Sequence, residues 1–379
     1  MRVTRLRLKN WLNFRDVEIP LADRCYLIGP NACGKSNFLE AFRFLRDIAK
    51  PAGGGLQKAV TDRGGIRKLR CLQARKDAEI RVETWISDSE TEWAYFLGFK
   101  SEGRGAQRLW ITDETVRRNG EILLRRPDKD DRDDPVRLTQ TFLEQINANV
   151  DFRSLAEFFS DTTYLHLVPQ LLTFGDQMAV RRMEDDPFGQ GFLERLAKTQ
   201  KKTRDSRLKR IQNALTAAVP QFDALRFTRD AAGHPHLEAR YAHWRPNAGW
   251  QTEEQFSYGT LRLIGLLWSL MEGDGLLLLE EPELSLNDGV VEHIPLMIDR
   301  VLRESRRRRQ VLVSTHSEAL LRNPLDGRGI LLLEPGRDGT RIRLPDEAEA
   351  AMLQQDFSPA EIFLPKTRPE KLLDWEASA

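Results

Sequence analysis

Lys35 and Ser36 close the stretch Gly29-Pro30-Asn31-Ala32-Cys33-Gly34-Lys35-Ser36, a full match to the spacing G-x-x-x-x-G-K-S. A lysine and a hydroxyl behind a glycine turn at that spacing suit a polyphosphate: the ammonium reaches the β and γ phosphates and the serine oxygen ligates Mg2+. Gly29 and Gly34 allow close backbone approach, and Asn37 opens the segment that follows. A second constellation is a pair of carboxylates, Glu280 and Glu281, after four leucines. Adjacent acids at a strand end offer one group for a cation and one for a water molecule. His316 in Val311-Leu312-Val313-Ser314-Thr315-His316-Ser317 is a third candidate, and Ser257-Tyr258-Gly259-Thr260 is a fourth.

The elements that must carry these groups are legible around them. The apolar run 25–28 predicts a buried strand before the phosphate loop. Phe38, Leu39, Phe42 and Leu45 recur at helical spacing after it, so the loop sits at a helix N-terminus whose dipole favours anions. Residues 276–279 are apolar on both faces, as in a central parallel strand, and ligands bind beyond the carboxyl ends of such strands. Residues 311–313 read the same way. Ser257 is a predicted N-cap for a helix that packs Leu261, Ile264, Leu267, Trp268 and Met271, and its free N–H groups offer an anion site.

Lys9-Asn10-Trp11 to Phe14, the phosphate loop, Ser-x-Gly-Thr, Glu-Glu-Pro-Glu and Thr-His-Ser together resemble the RecF/SMC-like branch of ABC ATPases. More narrowly, the chain is similar to compact bacterial AAA-labelled ATPases of the overcoming-lysogenisation-defect type that lack a nuclease domain. The similarity covers roughly residues 1–75 and 240–340. It implies an α/β ABC-type head: a mixed and parallel sheet with a P-loop core, an antiparallel β subdomain and an inserted helical lobe. ATP and Mg2+ are the implied cofactors, with Ser36 and Glu280 on the metal, Glu281 on the attacking water, and His316 and Lys35 on the γ-phosphate. Ser257 and Gly259 then face the nucleotide of a second subunit, which implies a homodimer with ATP sandwiched between the chains. Three departures stand out: Glu280 where most relatives have Asp, Asn287 where many have His, and Cys33 where many have Ser.

The pattern along the chain predicts residues 1–135 as the first half of the head, 136–220 as a helical insertion lobe broken near Tyr164 to Pro169 by a short strand, 221–345 as the second half and 346–379 as a tail. The alternating segment 3–19 is expected to pair and join the phosphate-loop strand. Alternation over residues 78–125, with Asn119-Gly120 as a hairpin turn, predicts three or four antiparallel strands. Residues 128–134 read as a solvated acidic loop. The 379 residues carry a net charge of +1, and no stretch approaches the roughly 20 apolar residues of a membrane span. Cys25, Cys33 and Cys71 form no Cys-x-x-Cys pair, which points to a reducing cytoplasm.

Lys198, Lys201, Lys202, Arg204, Arg207, Lys209 and Arg210 crowd the start of a helix that packs Leu208, Ile211, Leu215 and Ala218. Such density either follows a nucleic-acid backbone, making DNA a candidate partner, or forms a solvated face. Arg303, Arg306, Arg307, Arg308 and Arg309 make a second cluster. His234, His236 and His243 lack the cysteine or carboxylate companions of a metal site. Gln73 is the candidate Q-loop glutamine. Trp11, Phe14 and Arg15 either line the adenine or pack the first sheet. Cys33, among loop N–H groups and beside Lys35, is expected to have some thiolate character.

Four functional readings follow. The leading one is an ATP-driven sensor or motor in phage defence or DNA repair, acting with a separately encoded effector. An ATP-gated protein scaffold without DNA contact is the alternative. A transporter subunit fits poorly, because the stretch between Gly29 and Ser257 is longer than a transporter head needs. A self-contained nuclease lacks its Asp-x-Asp pair beyond His316.

Overall fold

The computed structural model describes residues 1–74, 77–102, 108–174, 186–219, 221–242, 249–304 and 309–367. Its strands in chain order are β1 Arg2–Trp11, β2 Phe14–Pro20, β3 Arg24–Ile28, β4 Ile80–Ser87, β5 Glu92–Ser101, β6 Leu109–Arg118, β7 Glu121–Arg126, β8 Thr163–Leu165, β9 Phe222–Arg229, β10 Pro235–Tyr241, β11 Gln251–Thr252, β12 Leu277–Glu280, β13 Val311–Ser314, β14 Ile330–Glu334 and β15 Arg341–Arg343.

One sheet, ordered β15-β14-β3-β13-β12-β8, is parallel apart from β15. Its strands are apolar on both faces because the sheet separates two hydrophobic cores. Cys25, Leu27, Leu278, Leu312 and Leu331 face the first core; Tyr26, Ile28, Leu277, Leu279, Val311, Val313, Ile330 and Leu332 face the second. The helix Lys35–Ala49 packs in the first core through Phe38, Leu39, Phe42 and Leu45, as its spacing predicts. The helix Tyr258–Leu270 lies in the second core. It is buried on all sides from Thr260 onward, because helices Pro169–Phe174, Lys201–Ala218 and Ile294–Glu304 enclose it.

A second sheet, β2-β1-β4-β5-β6-β7, is antiparallel and covers the first core. Asn119 (φ 50°) and Gly120 (φ 84°) turn β6 into β7, the left-handed pair that a tight hairpin needs. Contrary to expectation, β1 and β2 join this sheet and not β3. The two sheets are tied instead by Gln310, whose side-chain amide donates to the carbonyls of Val3 (2.7 Å) and Ala22 (2.8 Å) and accepts from the Val3 N–H at 2.8 Å. The third sheet, β11-β10-β9, is a small antiparallel layer beside the second core.

The stretch expected as a helical lobe is only partly one. Arg153–Ser160 packs on Lys35–Ala49, with Leu155 and Phe159 in the first core, and β8 is the edge strand of the parallel sheet. Helix Lys201–Ala218 buries Leu208, Ile211 and Leu215 against the second core. Within 128–134, Asp131 is buried and pairs with Arg126 at 2.8 Å, so the acidic loop is not uniformly solvated. From 346 on, Glu349 accepts from Arg343 (2.6 Å) and Lys366 (2.5 Å), and Ile362 and Phe363 reach the second core.

Arg309 departs from its expected place in a basic surface cluster. It is buried and donates to the carbonyls of Gly275 and Ser269, both at 2.7 Å, and to Thr163 Oγ1 at 2.6 Å. Burial lowers its pKa to about 10 against the pull of Asp161 and Glu272. Arg306, Arg307 and Arg308 lie outside the described residues. Because Arg309→Ala strands buried acceptors, it should lower unfolding stability by about 3 kcal/mol, whereas Arg303→Ala, at an exposed site, should change it by less than about 0.5 kcal/mol. Urea unfolding followed by circular dichroism measures both.

Candidate nucleotide site

The phosphate loop leaves the carboxyl end of β3 and enters the helix at Lys35. Ala32 (φ 61°) and Gly34 (φ 102°) are left-handed, which curls successive N–H groups into an anion cradle. Lys35 is buried, and its ammonium donates to the carbonyls of Gly29 (2.8 Å) and Pro30 (3.2 Å). A side chain at Gly29 would meet the Leu333 carbonyl at 2.6 Å and Cys33 Sγ at 2.7 Å, and one at Gly34 would collide with Asn13.

Asn13 braces the loop and was not singled out by sequence reasoning. Its amide donates to the Cys33 carbonyl (2.8 Å) and Thr340 Oγ1 (2.6 Å), and it accepts from Asn37 at 2.8 Å. Thr340 also donates to the Cys33 carbonyl at 2.8 Å. Trp11 and Phe14 are fully buried against Phe44 and Phe38, which settles them as packing residues. Arg15 is exposed and lies 3.5 Å from Asp338.

Glu280 ends β12 beside this loop. One of its oxygens accepts from Ser36 and the other from Tyr164, on the neighbouring strand β8. Ser36 and Glu280 thus present adjacent hard oxygen donors, a set that fits Mg2+. Glu281 follows with φ 45°, and its carboxylate lies 3.0 Å from His316 Nδ1. The next acid, Glu283, is 6% exposed. Thr315 donates to one of its oxygens at 2.5 Å, the other has no hydrogen-bond partner among the described residues, and burial raises its pKa. Arg262, five residues after Ser257, reaches back to the Glu281 carbonyl at 3.3 Å and to the Leu167 carbonyl. Burial lowers the Arg262 pKa against the pull of Glu283 and Glu281. Its place two residues past Ser257-Tyr258-Gly259-Thr260 is visible in the sequence, but its inward direction is not.

The Ser257 hydroxyl caps the helix Tyr258–Leu270, accepting from the Thr260 N–H at 3.1 Å. Ser257 is exposed, Tyr258 is 50% exposed, and Gly259 lies against Ser285 and Leu286. Asn287 caps the short helix Asp288–Val291 by accepting from Gly289 N–H at 2.9 Å. The phosphate loop, Glu280, Glu281 and His316 therefore converge, while Ser257 and Gly259 make their contacts elsewhere.

The family described as "AAA domain, putative AbiEii toxin, Type IV TA system" matches residues 26–322, from the phosphate-loop strand past His316. The chain belongs to this AAA family. No curated protein matches it. Among solved structures it is similar to the SMC head bound to the C-winged helix domain of ScpA, with a TM-score of 0.56 and 14% identity over 92% of this chain and 100% of that one. It is also similar to an SMC head with an extended coiled coil bound to the C-terminal domain of ScpA, derived from Pyrococcus furiosus, with a TM-score of 0.52 and 13% identity over 94% and 99% of the two chains. The fold is that of a compact RecF/SMC-like ABC ATPase head.

In this AAA head, Gln73 accepts a hydrogen bond from Cys71 Sγ at 3.2 Å, and the segment bridges to Trp11 at Arg70; no hydrogen bond joins Gln73 to Ser36 or Glu280. His234 pairs with Asp230 at 3.0 Å and His236 with Glu253 at 2.8 Å. No group of three or more His, Cys, Asp or Glu side chains placed to hold a metal ion occurs among the described residues, and His243 lies outside them. On the basic helix, Lys201, Lys202, Lys209 and Arg210 are exposed; Lys198, also exposed, instead ends the preceding helix Phe192–Lys198. Arg204 instead stacks on Phe227 at 3.9 Å, and Arg207 lies 5.0 Å from the Trp268 ring. No described helix is long and apolar enough to cross a membrane.

Cys33 corrects the expectation of thiolate character. It is buried, and desolvation raises its pKa more than the nearby Lys35 charge lowers it. The thiol therefore stays protonated through neutral pH. Alkylation of Cys33 by iodoacetamide at pH 8 should run at least tenfold slower than that of a free cysteine, with the rate rising as pH increases. Mass spectrometry of the labelled peptide measures it; labelling as fast as free cysteine would contradict the burial.

Proposed function

We propose that this AAA-family head is an Mg2+-dependent ATP hydrolase that closes as a homodimer with ATP between its subunits, acting as a sensor or motor in phage defence with a separately encoded effector. The observation that carries the catalytic reading is the Ser36–Glu280 hydrogen bond, which joins residues 244 apart in sequence at one point. Mg2+ held by Ser36 and Glu280 would neutralise phosphate charge. Lys35, released from the loop carbonyls, binds the β and γ phosphates. The loop N–H groups of residues 29–36 and Asn37 orient them. Glu281, fixed against His316, is positioned to orient a water molecule and accept its proton, and the imidazole is placed to contact the γ-phosphate.

The dimer reading is supported by the exposure of Ser257 and Tyr258 at a helix start where the Ser257 hydroxyl bonds within its own first turn. Free N–H groups there suit an anion brought by another subunit. The family description, a putative toxin of a toxin–antitoxin system, favours defence over repair. For direct DNA contact the support is narrower than the sequence suggests, since Arg204 and Arg207 are engaged with aromatic rings. That observation favours an ATP-gated protein scaffold as the second reading.

Lys35→Ala should abolish binding of a fluorescent ATP analogue, a loss of at least a hundredfold in affinity. Ser257→Arg should leave that affinity within about threefold while preventing ATP-dependent dimerisation and hydrolysis. Light scattering with ATP and phosphate release give the two readouts, and hydrolysis by monomeric Ser257→Arg would overturn the shared site.

If the exposed cations track a phosphate backbone, changing Lys201, Lys202, Lys209 and Arg210 to Glu should weaken DNA binding and flatten its salt dependence by about 0.9 in log–log slope per lost contact. A salt-titrated binding assay on the ATP-bound Glu281→Gln protein tests this. Absence of DNA binding at low salt would favour the scaffold.

A further inference from the structure

We infer that Tyr164 is a positioning residue for the metal-binding carboxylate of Glu280, and that His166, one residue past the same strand, supports it. The inference rests on the nucleotide reading proposed above and deepens it.

β8 is three residues long and pairs in parallel with β12, setting Tyr164 opposite Leu278 and Leu165 opposite Leu279. Tyr164 is buried, and its hydroxyl donates to one oxygen of Glu280 while Ser36 donates to the other. Two residues on, His166 Nδ1 lies 3.3 Å from the Glu280 backbone carbonyl. β8 and the residue that follows it therefore hold Glu280 at both its side chain and its main chain. The phenol is itself fixed from the phosphate-loop helix: the Arg43 guanidinium lies 4.1 Å from the centre of its ring, and Arg43 is anchored to Glu40 at 2.5 Å.

Carboxylate length gives this contact its consequence. A glutamate has one more rotatable bond than an aspartate, so its oxygens sweep a larger volume and a metal must order more freedom on binding. A buried donor on one oxygen removes that freedom beforehand and leaves the other oxygen turned to Ser36. Such outer contacts characteristically set metal affinity by tenfold or more.

Tyr164→Phe removes only the hydroxyl. Titrating Mg2+ against binding of a fluorescent ATP analogue should show a half-saturating Mg2+ concentration five- to tenfold above wild type, with binding in EDTA unchanged. Glu280→Asp should raise it as well, because the shortened side chain no longer reaches the phenol. The double variant should then be no worse than Glu280→Asp alone, since the contact is already lost. Thermal unfolding in EDTA separates this from a structural role, which would lower the midpoint without moving the Mg2+ dependence. A Tyr164→Phe midpoint for Mg2+ within 1.5-fold of wild type, or effects that multiply in the double variant, would overturn the inference alone. Absence of Mg2+-dependent nucleotide binding in the wild type would overturn the inference and the nucleotide reading together.

Discussion

A parallel sheet buried on both faces can expose its polar chemistry only where its strands end. β3, β13 and β12 lie side by side, so the phosphate loop, His316 and the Glu280–Glu281 pair leave from one edge in adjacent positions. Register fixes their spacing: Glu280 stands opposite Ser314, and Ser314 opposite Leu27. The apolar residues behind that edge belong to two separate cores, and each core carries a different working helix. Lys35–Ala49 stands on one face of the sheet and Tyr258–Leu270 on the other. The arrangement lets Arg262, rooted in the second core, grip the backbone of Glu281.

The parts of this arrangement that were legible in the sequence are those whose signal is local. Leucine runs marked β12, helical spacing marked the face of Lys35–Ala49, and Asn119-Gly120 marked the β6–β7 turn. What was not legible depends on partners distant in the chain. Nothing near Asn13 says that its amide will meet Thr340, and nothing near Arg309 separates it from its four arginine neighbours. The 136–220 stretch misled for a related reason. Its helical periodicity is real, but periodicity reports which face is apolar and not which core the face will enter. The short strand expected near Tyr164 to Pro169 is present as β8, but three residues carry no pairing signal, so its place in the central sheet came from tertiary packing.

Charge was the least reliable sequence signal. Arg204, Arg207 and Arg309 all read as surface cations, yet each lays its planar guanidinium on a ring or on backbone carbonyls, geometry that an ammonium does not match. The surviving exposed set is mostly lysine. Burial likewise reverses the reading of Cys33: proximity to Lys35 is visible in one dimension, whereas desolvation is a property of the folded surroundings.

The brace on the phosphate loop carries a consequence for biosynthesis. Asn13 and Thr340 are 327 residues apart in sequence, so the loop that is translated early cannot be locked until almost the whole head has left the ribosome. At about 10 residues per second the delay is on the order of half a minute. Throughout it, the nascent chain carries the glycine-rich turn without the clasp that shapes it. The braced form of the loop comes into being only once Thr340 has been made.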